Sequence, residues 1–510
     1  MHRKFRGPLI AVELLLSPIV MAAQSRSTAA RNAARYLDSV RSQPLLLLAF
    51  LRQMPKGADL HLHLSGAVYA ESYVGFAVKD GLCVDERTLE LLSPPCDPAK
   101  HRPPAQEALV SQALFDRIID AWSMRNFEPL RESGHDHFFA TFSKFSPATR
   151  AHSGEMLAEV LHREASDRAD YLEIMLTPDG GRAAQLGQMA GWSDDWDQLR
   201  QKVKAARLED VIAESRKILD RTEAGARSVL QCGQAKADAG CGVTFRYLYQ
   251  VGRGLPPEQV FAQILAGFEL AKADSRVAGL NFVMPEDGRV ALHDFTLQLR
   301  MLDFLRRSYP GVHISLHAGE LSPTLVPPED LRFHIRQSVE LGHAERIGHG
   351  VDIMHEENPL ELLREMAGRH ILVEICLTSN DQILGIRGQQ HPLPIYMQFH
   401  VPVALATDDM GVARADLTRE YLRAVETYRL TYPQLKSMVR DGLDHGFLDG
   451  AGLWAGPVLP GQAQPVAACS NQPLGSPHPS ANCQRFLAAS PKAGLEWKVE
   501  GEFRSFEDRF

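Results

Sequence analysis

Gly57-Ala58-Asp59-Leu60-His61-Leu62-His63-Leu64-Ser65-Gly66 reads as a short buried strand that ends in two histidines and is closed by a small-residue turn. Alternate side chains of a strand share a face, so His61 and His63 point one way while Leu60, Leu62 and Leu64 point the other. Two imidazoles side by side at a strand end make half of a metal site, because neutral imidazole is the commonest nitrogen ligand for zinc. Taken alone, the pair reads equally well as two polar residues that happen to alternate. The rest of the chain has to decide.

Outward from this strand the sequence alternates. Apolar, β-branched or aromatic runs recur at 171–177, 244–251, 277–284, 313–317, 346–351, 371–377 and 401–407. Helical-looking stretches separate them, among them 153–168, 257–273, 291–308 and 328–341. With the opening strand this makes eight near-continuous hydrophobic strands alternating with helices. That is the pattern of an α/β protein whose parallel sheet closes into a (β/α)8 TIM barrel. An open, doubly wound sheet is the alternative, but no Gly-x-Gly-x-x-Gly follows an early strand. The barrel is placed at residues 55–450, behind a helical extension at 24–54 that Pro55-Lys56-Gly57 breaks. Residues 81–105, rich in Pro and charge, read as an insertion tied by one disulfide. Residues 451–510 read as an irregular, cysteine-containing appendage finished by a short charged helix.

The 510 residues suit a large barrel with insertions, and 45% hydrophobic with 23% charged content describes a globular protein with a sizeable core. A net charge of -8 argues against a nucleic-acid binder that works through a broad basic surface. Past the N-terminus no apolar run approaches the roughly 20 residues of a membrane span. The N-terminus itself carries a basic stretch, His2-Arg3-Lys4-Phe5-Arg6, then apolar residues 9–23 ending in Met21-Ala22-Ala23. Despite Glu13, this reads as a signal peptide over 1–23, and hence as export to the periplasm or the medium. The cysteines agree. Cys83 with Cys96, Cys232 with Cys241 and Cys469 with Cys483 form three sequence-local pairs, as in an oxidising compartment, and Cys376 is left alone in an apolar strand.

In a (β/α)8 barrel reactive residues belong at the C-terminal ends of the strands. Here the first strand ends in His61 and His63, the fifth in His317-Ala318-Gly319-Glu320, the sixth in His349-Gly350 and the eighth in Thr407-Asp408-Asp409. Three histidines and an aspartate from the first, fifth and eighth strands give a nitrogen-rich site with an open position, which a catalytic zinc requires. Each residue alone has a plainer reading as a cap, a turn or a core histidine. Their coincidence on one rim does not.

The order His61-Leu-His63, His317-Ala-Gly-Glu320, Arg346-Ile-Gly-His349-Gly350, Thr378-Ser379-Asn380 and Thr407-Asp408-Asp409 resembles the adenosine deaminase family of the metal-dependent amidohydrolases, over roughly residues 55–450. The lead-in Met54-Pro55-Lys56-Gly57, the leader and the cysteine-tied insertion are most similar in layout to the secreted, growth-factor-type members. The resemblance implies an enzyme that hydrolyses adenosine or 2′-deoxyadenosine to the inosine product and ammonia, with one zinc per chain held by His61, His63, His317 and Asp408. Zinc would lower the pKa of a water toward about 7. Glu320 would protonate purine N1, and Asp409 would hydrogen-bond N7. His349 would either take a proton from water or stabilise hydroxide, and sequence leaves both roles open. The helices before Pro55 would supply a homodimer contact.

Two substrate-contacting positions depart from the family pattern. Ser65 stands where many members carry an Asp associated with a ribose hydroxyl, and Met284 stands where a Gly usually lets the backbone approach the purine. Both changes spare the deamination machinery and bear on the substrate. The alternatives are therefore another aminopurine, such as adenine or a 5′-modified adenosine of the methylthioadenosine type, or a non-catalytic extracellular binding protein on the same fold. His135, His137, Phe138, Phe139 and Phe142 fall where the family covers its pocket with an apolar helix, and they read equally as lid or as core.

Overall fold

The structure, a computed structural model, describes residues 18–130 and 132–510. Residues 1–17 of the expected leader lie outside the described residues. The helix α1 (Pro18–Val40) runs on past Ala23, and α2 (Pro44–Gln53) follows it. Lys56 then turns the chain inward. Its buried ammonium donates to the carbonyls of Leu51 (2.8 Å), Met54 (3.2 Å) and Asp167 (2.9 Å), capping the end of α2 and seating the first strand.

Eight parallel strands follow in chain order: β1 (Gly57–His63), β2 (Ala169–Leu176), β3 (Thr244–Gly252), β4 (Val277–Val283), β5 (His313–Ala318), β6 (Arg346–His349), β7 (Leu372–Ile375) and β8 (Val403–Leu405). Each pairs with the next. The last returns to the first through Asp408, whose N–H donates to the His61 carbonyl at 2.9 Å and whose carbonyl accepts from His63 N–H at 3.2 Å. The result is the nearly closed (β/α)8 barrel expected from the alternating pattern, and the open sheet is excluded. Between β4 and β5 only two residue pairs join the ladder. Beyond them the Asn281 side chain takes over, accepting from His317 N–H at 3.0 Å.

Around the barrel lie α3 (Gly134–Phe145), α4 (Leu377–Leu384) directly after β7, and α5 (Tyr432–Asp444) after β8. The insertion holds a two-stranded ribbon, Cys83–Val84 with Leu91–Leu92. The disulfides are Cys83–Cys96, Cys232–Cys241 and Cys469–Cys483, and Cys376 is a buried thiol just past β7. The appendage is more ordered than its composition predicted. It contains the helix Ala481–Ala489 and ends in the 17-residue α6 (Pro491–Glu507), where a short helix was expected. The Ser490 hydroxyl caps α6 by accepting from Ala493 N–H at 3.2 Å. Among the described residues no helix is long and apolar enough to cross a membrane.

Buried charge runs up the inside of the barrel. Arg346 on β6 bonds Glu173 on β2 and Glu374 on β7, both at 2.6 Å, and the far oxygen of Glu374 reaches His61 Nδ1 at 2.6 Å. All four side chains are fully buried, so each charge depends on its neighbour for the solvation it has lost.

The two ends of the chain meet outside the barrel. Phe506 of α6 packs edge-on against Phe50 of α2 with centroids 5.0 Å apart, and Phe510 lies 4.6 Å from Tyr36 of α1. Phe506 is 1% exposed. Phe506→Ala should cost about 3–5 kcal/mol of stability, read as a lowered denaturant midpoint with metal content unchanged.

Candidate active site

The strand ends that the sequence placed on one rim do converge. His61 Nε2 lies 3.0 Å from His317 Nε2, and His63 Nε2 lies 3.2 Å from the same atom. Asp408 Oδ1 is 3.6 Å from His61 Nε2 and 3.4 Å from His63 Nε2. Ligands of a tetrahedral ion at zinc–nitrogen distance are separated by about 3.3 Å, so this spacing suits one ion at the centre.

The outer edges of the rings explain why their lone pairs point inward. His61 Nδ1 donates to Glu374, and His317 Nδ1 donates to Asn281 Oδ1 at 2.7 Å. His63 Nδ1 lies 2.7 Å from Gln250 Nε2; with that amide turned end for end its oxygen would accept from Nδ1–H, and Thr177 Oγ1, 3.1 Å from its other end, can donate or accept in either setting. With protons committed outward, three Nε2 lone pairs and a carboxylate oxygen face one point. Such a donor set repels itself unless a cation or proton sits between. Burial opposes protonation of His61, but its bonds to Asp408 and Glu374 outweigh that and raise it to about 10. A metal ion taking that lone pair displaces the proton, so its affinity rises with pH. Ser379 Oγ donates to the second oxygen of Asp408 at 2.6 Å and fixes the carboxylate's rotation.

Three further polar atoms beside the cluster are buried and have no hydrogen-bond partner: Glu320 Oε1, which lies 3.6 Å from His349 Nδ1, His349 Nε2 and Asp409 Oδ1. They belong to the three residues given catalytic roles on the strength of the resemblance. Burial, then the nearby carboxylates of Asp408 and Glu286, push Glu320 well above the ordinary range, which favours its protonated form. Burial and Asp408 do the same to Asp409. Burial, then the neighbouring His61, pull His349 down to about 3 and keep it neutral. Glu286, which sequence reading missed, accepts from the N–H groups of Gly319 (3.1 Å) and Glu320 (2.9 Å) and so holds the loop that carries Glu320.

Ser65 sits in the one-turn helix Leu64–Ala67 that follows β1. A Cβ on the adjoining Gly66 would lie 1.5 Å from Asp409 Oδ1, so only glycine lets the chain pass there. Met284 caps β4 at φ +81°, a conformation that glycine adopts freely and methionine under strain. Its side chain leans on Gly252 and Gly254 at the end of β3 and remains 44% exposed at the rim.

The helix α3 divides its residues between the two roles left open. His137 and Phe138 are buried, with His137 bound to Glu132 and to the carbonyls of Asp120 and Ser123. His135, with the Phe139 ring 4.8 Å away, instead reaches Asp287 past β4 at 3.0 Å. At the same end, Gly134 packs so tightly on the Gln382 carbonyl of α4 that a Cβ would come within 1.8 Å. This end of α3 therefore bridges the β7 and β4 sides of the rim.

The residues that sequence reading missed, Glu374, Asn281, Gln250, Glu286 and Asp59, are mostly acids and amides inside apolar strands. Asp59 accepts from the Thr407 hydroxyl at 2.6 Å and ties β1 to β8 below the cluster. A lone acid in an apolar run, as in Leu372-Val-Glu-Ile375, was the available signal.

The sequence model of one family, described as adenosine deaminase, matches residues 155–452. An adenosine deaminase-like protein of Drosophila pseudoobscura pseudoobscura is 26% identical over 403 residues, covering 78% of this chain and 92% of the relative. Among solved structures, the N6-methyl-AMP deaminase of Arabidopsis thaliana superposes with a TM-score of 0.52 at 20% identity, over 79% of this chain and 94% of its own. A zinc-bound amidohydrolase from Burkhoderia ambifaria superposes with a TM-score of 0.50 at 19% identity, over 79% and 88%. At such identities the structures speak for the fold.

Glu374→Gln keeps the shape but removes the charge behind His61. Metal retention in a chelator competition should weaken by about 10–100-fold.

Proposed function

The chain belongs to the adenosine deaminase family and is a hydrolytic aminohydrolase, and from that premise we propose that it converts adenosine and 2′-deoxyadenosine to their inosine products and ammonia, with one zinc per chain held by His61, His63, His317 and Asp408. The observation that carries the reading is the set of three unpartnered atoms, Glu320 Oε1, His349 Nε2 and Asp409 Oδ1, gathered beside the histidine–aspartate cluster.

When bound, zinc supplies Lewis acidity that makes hydroxide available near neutral pH. Glu320, whose protonated form burial favours, gives its proton to N1 as hydroxide adds to C6. Asp409, shifted the same way by burial, donates to N7 and fixes the ring plane. His349 faces the attacking oxygen. The hydroxyl proton passes to the exocyclic nitrogen as the C6–N bond breaks, and the next water restores both the proton on Glu320 and the hydroxide. Water and an aminopurine thus give a hydroxypurine and ammonia. The full complement of these groups speaks against a binding protein on a spent fold.

A second substrate reading rests on the rim. Strained and 44% exposed, Met284 narrows the place where the ribose would leave the base, and Ser65 is a shorter partner than a carboxylate. These residues favour adenine or a 5′-modified adenosine. Three disulfides fit an oxidising compartment, so export, to the periplasm or the medium, stays part of the proposal. So does a homodimer through the N-terminal helices, where Leu45 is 81% exposed.

Absorbance near 265 nm should fall on mixing with adenosine, and runs with adenine and 5′-deoxy-5′-methylthioadenosine separate the substrate readings. Glu320→Gln should lower kcat by about 10²–10⁴-fold with zinc still near one per chain; full activity would remove Glu320 from the mechanism. Met284→Gly should improve kcat/KM for adenosine relative to adenine if its side chain crowds the ribose, and unchanged ratios would clear it of that role.

A further inference from the structure

Which nitrogen of His349 carries the proton is decided outside the histidine–aspartate cluster, by two side chains and one backbone amide. The N–H of Leu393 donates to His391 Nδ1 at 3.2 Å. A backbone N–H can only donate, so Nδ1 is an acceptor and the His391 proton sits on Nε2. That Nε2–H lies 3.1 Å from the Asn380 side chain and must meet the amide oxygen. The orientation of Asn380 is thereby set, and its NH2 group faces His349 Nδ1 at 2.9 Å. An amide NH2 also only donates. His349 Nδ1 therefore accepts, the ring is neutral, and its single proton is on Nε2, the buried nitrogen that has no partner in the protein. His391, Asn380 and His349 are all buried, and Asn380 is further held by its place in the first turn of α4, where its N–H donates to the Cys376 carbonyl at 2.9 Å.

We propose that Asn380 and His391 are positioning residues that lock His349 as the Nε2–H tautomer, so that His349 serves deamination as a hydrogen-bond donor to the attacking oxygen and not as its base. This rests on the deaminase reading. It needs no proton acceptor at His349, because the attacking hydroxide forms before the purine is enclosed and the later proton moves from that oxygen to the departing amine. A donor placed there holds the oxygen over C6 and withdraws charge from it as the C6–O bond forms. Sequence reading left base and donor equally open, and the relay decides between them through a residue 42 positions downstream of His349.

Asn380→Asp tests this with almost no change of shape. A carboxylate has no proton to donate, so His349 must turn its own proton to Nδ1 or become an imidazolium. In serine proteases a tautomer error of this kind lowers kcat by about 10⁴-fold; here kcat should fall by about 10²–10⁴-fold, with KM within a few-fold and zinc still bound. His391→Ala frees the amide to rotate and should give a smaller loss, about 10-fold, with the same split of kcat from KM; it also stands in if the aspartate variant misfolds. Independently, nitrogen NMR on histidine-labelled, zinc-loaded protein, with the His349 signal assigned from His349→Gln, should show Nδ1 bare and Nε2 protonated. A proton on Nδ1, or an Asn380→Asp enzyme within about 3-fold of wild type, overturns the proposal. A wild type silent on every aminopurine removes the deaminase reading and with it the catalytic role, while the spectrum still reads the tautomer.

Discussion

The barrel closes at Asp408, and the candidate metal cluster is completed by the same act. Its main chain bridges β8 to the backbone of His61 and His63, which sets its carboxylate beside both rings. The geometry of the cluster is thus inherited from strand pairing instead of from loop conformation, the more exact of the two ways to hold ligands. The cost is visible in the backbone. Asp408 at φ +60° and His349 at φ +70° both adopt the left-handed conformation that residues with a Cβ avoid. Strain of this kind persists only where the surroundings over-determine the position, and here two strands and a carboxylate anchored by Ser379 do so.

From that closure the polar interior follows. Glu173, Arg346, Glu374 and His61 form a buried line of paired ionisable groups, with the Phe447 ring centroid 3.7 Å from the guanidinium. A buried chain of this type is costly to assemble and more costly to break, since removing one member leaves the next uncompensated. It ends on His61, so the protein directs a negative carboxylate at the back of a ligand and strengthens the electron pair that the ring presents. The second carboxylate system, Glu286 with His334 and Arg253, supports the loop bearing Glu320 in the same manner from the other side.

The fold was legible because a parallel barrel writes itself as long apolar strands at regular intervals, and strand ends are where its chemistry is confined. His61, His63, His317 and Asp408 announced themselves by residue type at those ends. The supporting shell did not. Asn281 and Glu374 look like blemishes in apolar runs until their partners on other strands are known, and no spacing along the chain reports that Leu393 fixes the tautomer of His349. The closing helix of the appendage was legible, but its 17-residue length was not. Aromatic residues at its end are buried against residues near the start of the chain, a contact that local propensity cannot register.

That contact also orders events in time. Phe50 of α2 packs in part on Tyr432 of α5, but its contacts with Phe506 and Phe510 wait until a segment far along the chain has been made. A growing polypeptide can assemble strand after strand as each emerges, while this packing is completed late. The interval leaves that face of Phe50 uncovered, which is when a chaperone has its longest opportunity to hold it.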